Sequence, residues 1–128
     1  MSYELTCEKR RIDLSKVVTW LKGSYWADRR AAEKSYRAIA GSRCYSVFDG
    51  EDMVGFARVV TDGATFAYIC DLIVDPDRRG GGIGKFLVKG IVSDPALAGM
   101  SCTLATRDAH GLYEQYGFER VEFMKRRL

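Results

Sequence analysis

The chain has 128 residues, 47% apolar and 29% charged, which suits one domain with one hydrophobic core and excludes disordered and fibrous classes. Its formal net charge of +3 is spread along the sequence. The one dense basic cluster, Lys125-Arg126-Arg127, is not the concentrated stripe of a nucleic-acid-binding face, so no nucleic-acid partner is expected.

In chain order, a short strand is expected from Tyr3 to Glu8, and Leu14, Val17, Val18 and Leu21 fall at helical spacing up to Gly23. Ala27 to Ala40 is rich in Ala, Arg, Glu and Lys and predicts a second helix stopped by Gly41. The period then changes. Cys44 to Phe48 and Met53 to Thr61 read as a hairpin through Asp49-Gly50-Glu51-Asp52. A turn at Asp62-Gly63 leads into Thr65 to Val74, apolar almost throughout except for Asp71, as expected of a strand covered on both faces. A glycine-rich loop follows, then a helix from Ile83 to Val92, a strand from Met100 to Ala105, a helix capped by Asp108 and running to about Tyr116, and a last strand from Phe118 to Met124. The expected order is β-α-α-β-β-β-α-β-α-β, one α/β domain over residues 1–128 with a mixed sheet. Its middle is a right-handed parallel crossover.

The loop Arg79-Gly80-Gly81-Gly82-Ile83-Gly84 costs conformational entropy, so it should meet a backbone need. At a helix start that need is close approach of main-chain amides to a phosphate or pyrophosphate. Arg78, Arg79 and Lys85 add positive charge. Spacing excludes two nucleotide motifs. A P-loop would place glycine at Arg79 and a hydroxyl after Lys85, where Phe86 stands. A dinucleotide fingerprint would need its third glycine at Lys85. A tight turn without a ligand is the alternative, made less attractive by three glycines beside two arginines.

Arg79-x-x-Gly82-x-Gly84, after a strand ending Leu72-Ile73-Val74-Asp75-Pro76, resembles the signature of the GNAT N-acetyltransferase superfamily. Ala109-x-x-Leu112-Tyr113-Glu114-x-x-Gly117-Phe118 is similar to that superfamily's late helix. The resemblance implies two parallel strands that splay apart around acetyl-CoA as cosubstrate, with no metal. The acetyl group would pass to a primary amine of a small molecule by direct attack through a tetrahedral intermediate. Arg79, Gly80, Gly81, Gly82, Ile83, Gly84 and Lys85 would hold the pyrophosphate. Leu72, Ile73 and Val74 would supply the strand that pairs with the pantetheine arm, and the Val74 amide would stabilise the oxyanion. Tyr113 would protonate the departing thiolate. Thr106 stands where many members carry Asn and would touch the cofactor less securely. The resemblance also allows a homodimer.

On the acceptor side, Asp71 either carries a raised pKa and serves as base or has a dedicated partner and holds a local bend. His110 is either a base or substrate contact or a surface polar residue. Tyr25-Trp26 forms either an acceptor wall or core packing. A non-catalytic coenzyme A-binding sensor or scaffold is the alternative function. The four cysteines, Cys7, Cys44, Cys70 and Cys102, show no C-x-x-C spacing and are expected to be free thiols among apolar neighbours. Met1 to Thr6 lacks the apolar run of a signal peptide, and no stretch approaches the roughly 20 apolar residues of a membrane span. A cytoplasmic protein without membrane contact is expected.

Overall fold

Three strands joined by tight turns build the centre of the sheet in the computed structural model, which describes residues 2–128. These are β2 (Arg43–Asp49), β3 (Asp52–Thr61) and β4 (Phe66–Val74), each antiparallel to the next. Asp62 closes the second turn by accepting the amides of Ala64, Thr65 and Phe66 at 2.9, 2.7 and 3.2 Å. β1 (Glu4–Thr6) flanks β2, and β5 (Ser101–Leu104) flanks β4 in the parallel sense, giving the order β1-β2-β3-β4-β5.

Helices α1 (Leu14–Lys22) and α2 (Ala32–Ala40) cover one face, where Val17, Trp20, Leu21 and Ile39 pack on Phe48, Met53, Phe56 and Ile73. The Asp13 carboxylate caps α1 by accepting the Lys16 amide at 3.2 Å. Helix α3 (Ile83–Val92) covers the other face with Ile83, Leu87 and Ile91, packed with Val47, Val54, Val59 and Ile69. Any side chain at Gly90 would collide with Leu5 of β1, so this glycine sets how closely α3 approaches the sheet. Helix α4 is short (His110–Glu114).

The structure corrects the expected elements in three places. The second helix starts at Ala32 instead of Ala27. The Ser24 hydroxyl accepts the Ala27 amide, and Arg30 N–H donates to the Ala27 carbonyl, so residues 24–29 turn before the helix begins. The fourth helix starts at His110, and it is the Thr106 hydroxyl, not Asp108, that accepts the Ala109 amide (3.0 Å). The expected last strand, Phe118 to Met124, is not a strand. It has no ladder partner among the described residues, and a strand without one leaves its backbone groups to water. Cys7, expected among apolar neighbours, is exposed just beyond β1, whereas Cys44 is buried; all four thiols are free.

Candidate active site

The site begins at a fault in β4. Asp71 has φ of 51°, the one positive value outside glycine among the described residues. The β3–β4 register shifts at that point, with Phe56 opposite Ile73 but Arg58 opposite Cys70. This is a β-bulge, which bends and twists the strand carrying it. It also reverses the alternation of side chains. Ala67 and Ile69 face α3 before it; after it Leu72 and Val74 pack on that side, while Ile73 joins the α1/α2 side. β5 follows β4 only from Phe66↔Ser101 to Ile69↔Leu104. From Cys70 onward the β5-facing edge of β4 is open.

The backbone of that open edge has a defined direction. The Asp75 amide donates to the Val54 carbonyl of β3 at 2.9 Å. Because donors alternate sides along a strand, the amides of Val74 and Leu72 point away from β3 and into the opening, and that of Ile73 points to β3. Beyond Val74, a turn at Pro76–Arg78 leads to Arg79 and the glycines. Arg78 anchors this turn through Asp49 (2.8 Å), and the Tyr3 hydroxyl donates to the Gly81 carbonyl at 3.3 Å. Gly80 and Gly82 adopt φ of 86° and 82°, and nothing lies within 4 Å of where a Cβ would stand on either. Gly82 caps α3, and the first intrahelical bond runs from Phe86 N–H to the Gly82 carbonyl (3.0 Å). The amides of Ile83, Gly84 and Lys85 precede that bond, so they carry the positive end of the helix dipole. An exposed run of glycine backbone leading into the first-turn amides of a helix fits a phosphate group.

Helix α4 is the third element at the opening. A Cβ at Gly84 would lie 3.9 Å from both Leu112 Cδ2 and Val74 Cγ2, so the end of β4, the start of α3 and the face of α4 converge there. Tyr113 follows Leu112 and is 9% exposed. Its ring meets Phe118 edge-on at 5.8 Å between centroids, and the Phe118 amide donates to its carbonyl. Burial pushes the Tyr113 phenol above its ordinary value, and Tyr25 and Asp108 add to the effect. The phenol is therefore fully protonated at neutral pH.

On the other side of the bulge lies a polar cluster. Asp71, 4% exposed, accepts from Arg30 at 2.7 and 3.2 Å, from Arg58 Nε at 2.9 Å and from Trp26 Nε1 at 2.9 Å. Burial pushes its carboxyl up, but the bond from Arg30 and the bond and charge of Arg58 outweigh that and hold it below the ordinary carboxylate value. Beside it, Tyr25 meets Trp26 edge-on (5.1 Å) and lies 3.8 Å beneath the Arg107 guanidinium, and its hydroxyl accepts the Arg107 amide at 3.2 Å. His110 and Tyr113 line a groove of about 790 Å³ that runs along the outer edge of β5.

A family model for the acetyltransferase (GNAT) domain matches residues 40–120, the span from the end of α2 past Tyr113. The chain belongs to the GNAT acetyltransferase family. A GNAT-family structure from Xanthomonas campestris pv. campestris superposes with a TM-score of 0.94 at 34% identity, covering 100% of this chain and 94% of that one. Glucosamine-6-phosphate N-acetyltransferase from Arabidopsis thaliana, at 13% identity and TM-score 0.67 over 100% of this chain and 99% of its own, shares the fold. Histone acetyltransferase TAP1 of Glycine max is 35% identical over 82 residues, 64% of this chain and 33% of its own length. The chain spans about a third to a half of the curated relatives it matches.

Among the GNAT residues named from sequence, Leu72, Ile73, Val74, the loop from Arg79 to Lys85 and Tyr113 are gathered around the opening. Tyr25, Trp26 and Asp71 come together beside it. Asp71 as a base is corrected: a carboxylate held ionised by two arginines has little tendency to take a proton, and it matches the alternative of a partnered residue that holds a bend. The Thr106 hydroxyl oxygen accepts the Ala109 amide at the start of α4, which leaves its proton and its second lone pair for another partner. Arg30, Arg58 and Arg107, which the structure brings to this cluster, were not among the candidates from sequence. Their only signal was the need of Asp71 for a cationic partner.

Proposed function

We propose that this protein is an acetyl-CoA-dependent N-acetyltransferase whose acceptor is a small-molecule primary amine. The observation that carries the reading is the open edge of β4, with the Val74 amide directed into it between the glycine cradle and the buried Tyr113 phenol. Acetyl-CoA supplies the activated acetyl group. The amides of residues 80–85 hold its pyrophosphate, helped by the Arg79 and Lys85 charges. Leu72 and Val74 offer backbone groups to its pantetheine arm, as a strand offers them to a neighbour. The Val74 amide stabilises the oxyanion that develops on the carbonyl. Tyr113 donates its proton to the departing sulfur.

The Tyr25 and Trp26 ring faces suit an ammonium group on the acceptor. With Asp71 held ionised, the acceptor's proton leaves to water or to His110, one turn of α4 before Tyr113. The four free thiols support a reducing compartment such as the cytoplasm.

Thiol release from acetyl-CoA is measured with a panel of amino sugars, polyamines, aromatic amines and a lysine peptide. Turnover with a small amine is expected. Turnover with the peptide alone would overturn the acceptor class, and coenzyme A binding without turnover on any amine would favour a sensor. Tyr113→Phe should lower kcat by about 10²-fold and leave coenzyme A affinity nearly unchanged; an unaltered kcat would show that water protonates the thiolate. His110→Gln should depress the alkaline-side kcat/KM if the imidazole takes the proton, and leave the profile intact if water does.

A further inference from the structure

The acceptor side of the opening holds more positive charge than its carboxylate can answer. Arg30 and Arg58 both bond Asp71, and their side chains are 21% and 12% exposed against 2% for Asp71. The second bond of Arg58 goes to the Ser42 hydroxyl at 3.1 Å, which carries no charge. One carboxylate therefore stands against two guanidinium groups largely shielded from water, where an unbalanced charge is costly. A third guanidinium lies beside them. Arg107 sits 3.8 Å over the Tyr25 ring, Tyr25 meets Trp26 edge-on, and Trp26 bonds the same Asp71. Asp28 and Asp108, close along the chain to these arginines, are exposed and pair with none of the three among the described residues.

We infer that the acceptor carries an oxyanion, a carboxylate or a phosphate, beside the amine that is acetylated, and that Arg107 selects it. The inference rests on the proposed acetyl transfer and narrows its acceptor. A guanidinium held over a ring keeps its N–H donors for a charge-assisted pair with an oxyanion. The Arg107 side chain spends none of them on another described residue; its one hydrogen bond is made by its backbone amide. The surplus charge of the Arg30 and Arg58 pair acts in the same direction, because it draws an anion toward that side of the opening. Position agrees. Arg107 follows Thr106 past the end of β5 and precedes Tyr113 by six positions, and Tyr25 is close enough to Tyr113 to raise its phenol. An acceptor with its oxyanion on Arg107 and its amine by the Trp26 ring, 41% exposed, extends toward the open edge of β4. An acceptor that carries only positive charge would face like charge on three arginines.

Matched pairs of amines test it: alanine and its amide, β-alanine and its amide, phosphoethanolamine and ethanolamine. A neighbouring anion raises an amine's pKa and lowers its free-base fraction, so reactivity alone favours the neutral member of each pair. A preference for the charged member therefore reports binding. In thiol release, kcat/KM should favour the anionic member by about 10-fold or more in the carboxylate pairs or the phosphate pair, mainly through KM. Which pairs show it separates the two oxyanions. Arg107→Gln should bring the ratio close to 1, and Arg107→Lys should retain part of it. If Arg107 merely docks its loop on Tyr25, both members slow alike and the ratio stays. No preference, or one that survives Arg107→Gln, would overturn the inference and leave acetyl transfer standing. Calorimetric titration of the same pairs into the coenzyme A complex separates the two conclusions. Selective binding of anionic members without turnover of any amine would keep the anion site and overturn the transfer. Neither selective binding nor turnover would overturn both.

Discussion

A carboxylate inside an apolar strand would, left alone, be driven toward its neutral form. At Asp71 the reverse happens, because Arg30, Arg58 and Trp26 surround it with donors. They also hold the residue in a left-handed backbone conformation that costs a non-glycine residue about 1–2 kcal/mol. Asp71→Asn removes the charge and leaves two guanidinium groups facing each other, so it should destabilise the fold by about 3 kcal/mol at neutral pH, measured by urea unfolding. The pH dependence follows in sign. Since the folded value is depressed, this stability is whole above the ordinary carboxylate range. It is lost as pH falls below about 4 and through the folded value. The acid arm of the wild-type stability curve should therefore be steeper than that of Asp71→Asn. In the sequence, Asp71 stood out as one polar residue in an apolar run, and two readings stayed open. What separates them is the identity of its partners, which lie 13, 41 and 45 positions away. No local pattern carries that.

Elements set by local chemistry were legible. Gly23 ends α1, the Asp62 turn joins β3 to β4, and α3 begins and ends where its apolar spacing places it. Elements that depend on distant contacts were less so. Residues 27–31 have helical composition, yet Trp26 and Arg30 reach back to Asp71, and the helix starts after them. Phe118 to Met124 has strand composition but lacks a ladder partner among the described residues. The donor loop belongs to the legible kind, and its test is local too. Gly82 occupies φ of 82° at the start of α3. Gly82→Val should strain that turn and crowd the cradle, weakening coenzyme A binding by roughly 10-fold or more at a left-handed penalty of about 1–2 kcal/mol. Calorimetric titration checks this, and circular dichroism should show the helices retained.

At the scale of the molecule, the GNAT fold followed from two motifs and the element order between them. The opening itself did not follow from periodicity, because an apolar run looks the same whether its neighbour accompanies it to the end or leaves halfway. The departure is a property of the bulge and of the length of β5, four residues against nine in β4. That inequality bears on how the chain comes together and comes apart. β2, β3 and β4 are linked by tight turns and can zip sequentially, whereas β5 must return across the whole of α3 to find its place. It then joins the sheet through four residue pairs. The segment that follows it, with Tyr113, hangs on this four-pair ladder. In native-state amide exchange β5 and α4 should open together, at a lower free energy than β3, so the chain can lose its chemistry before it loses its core.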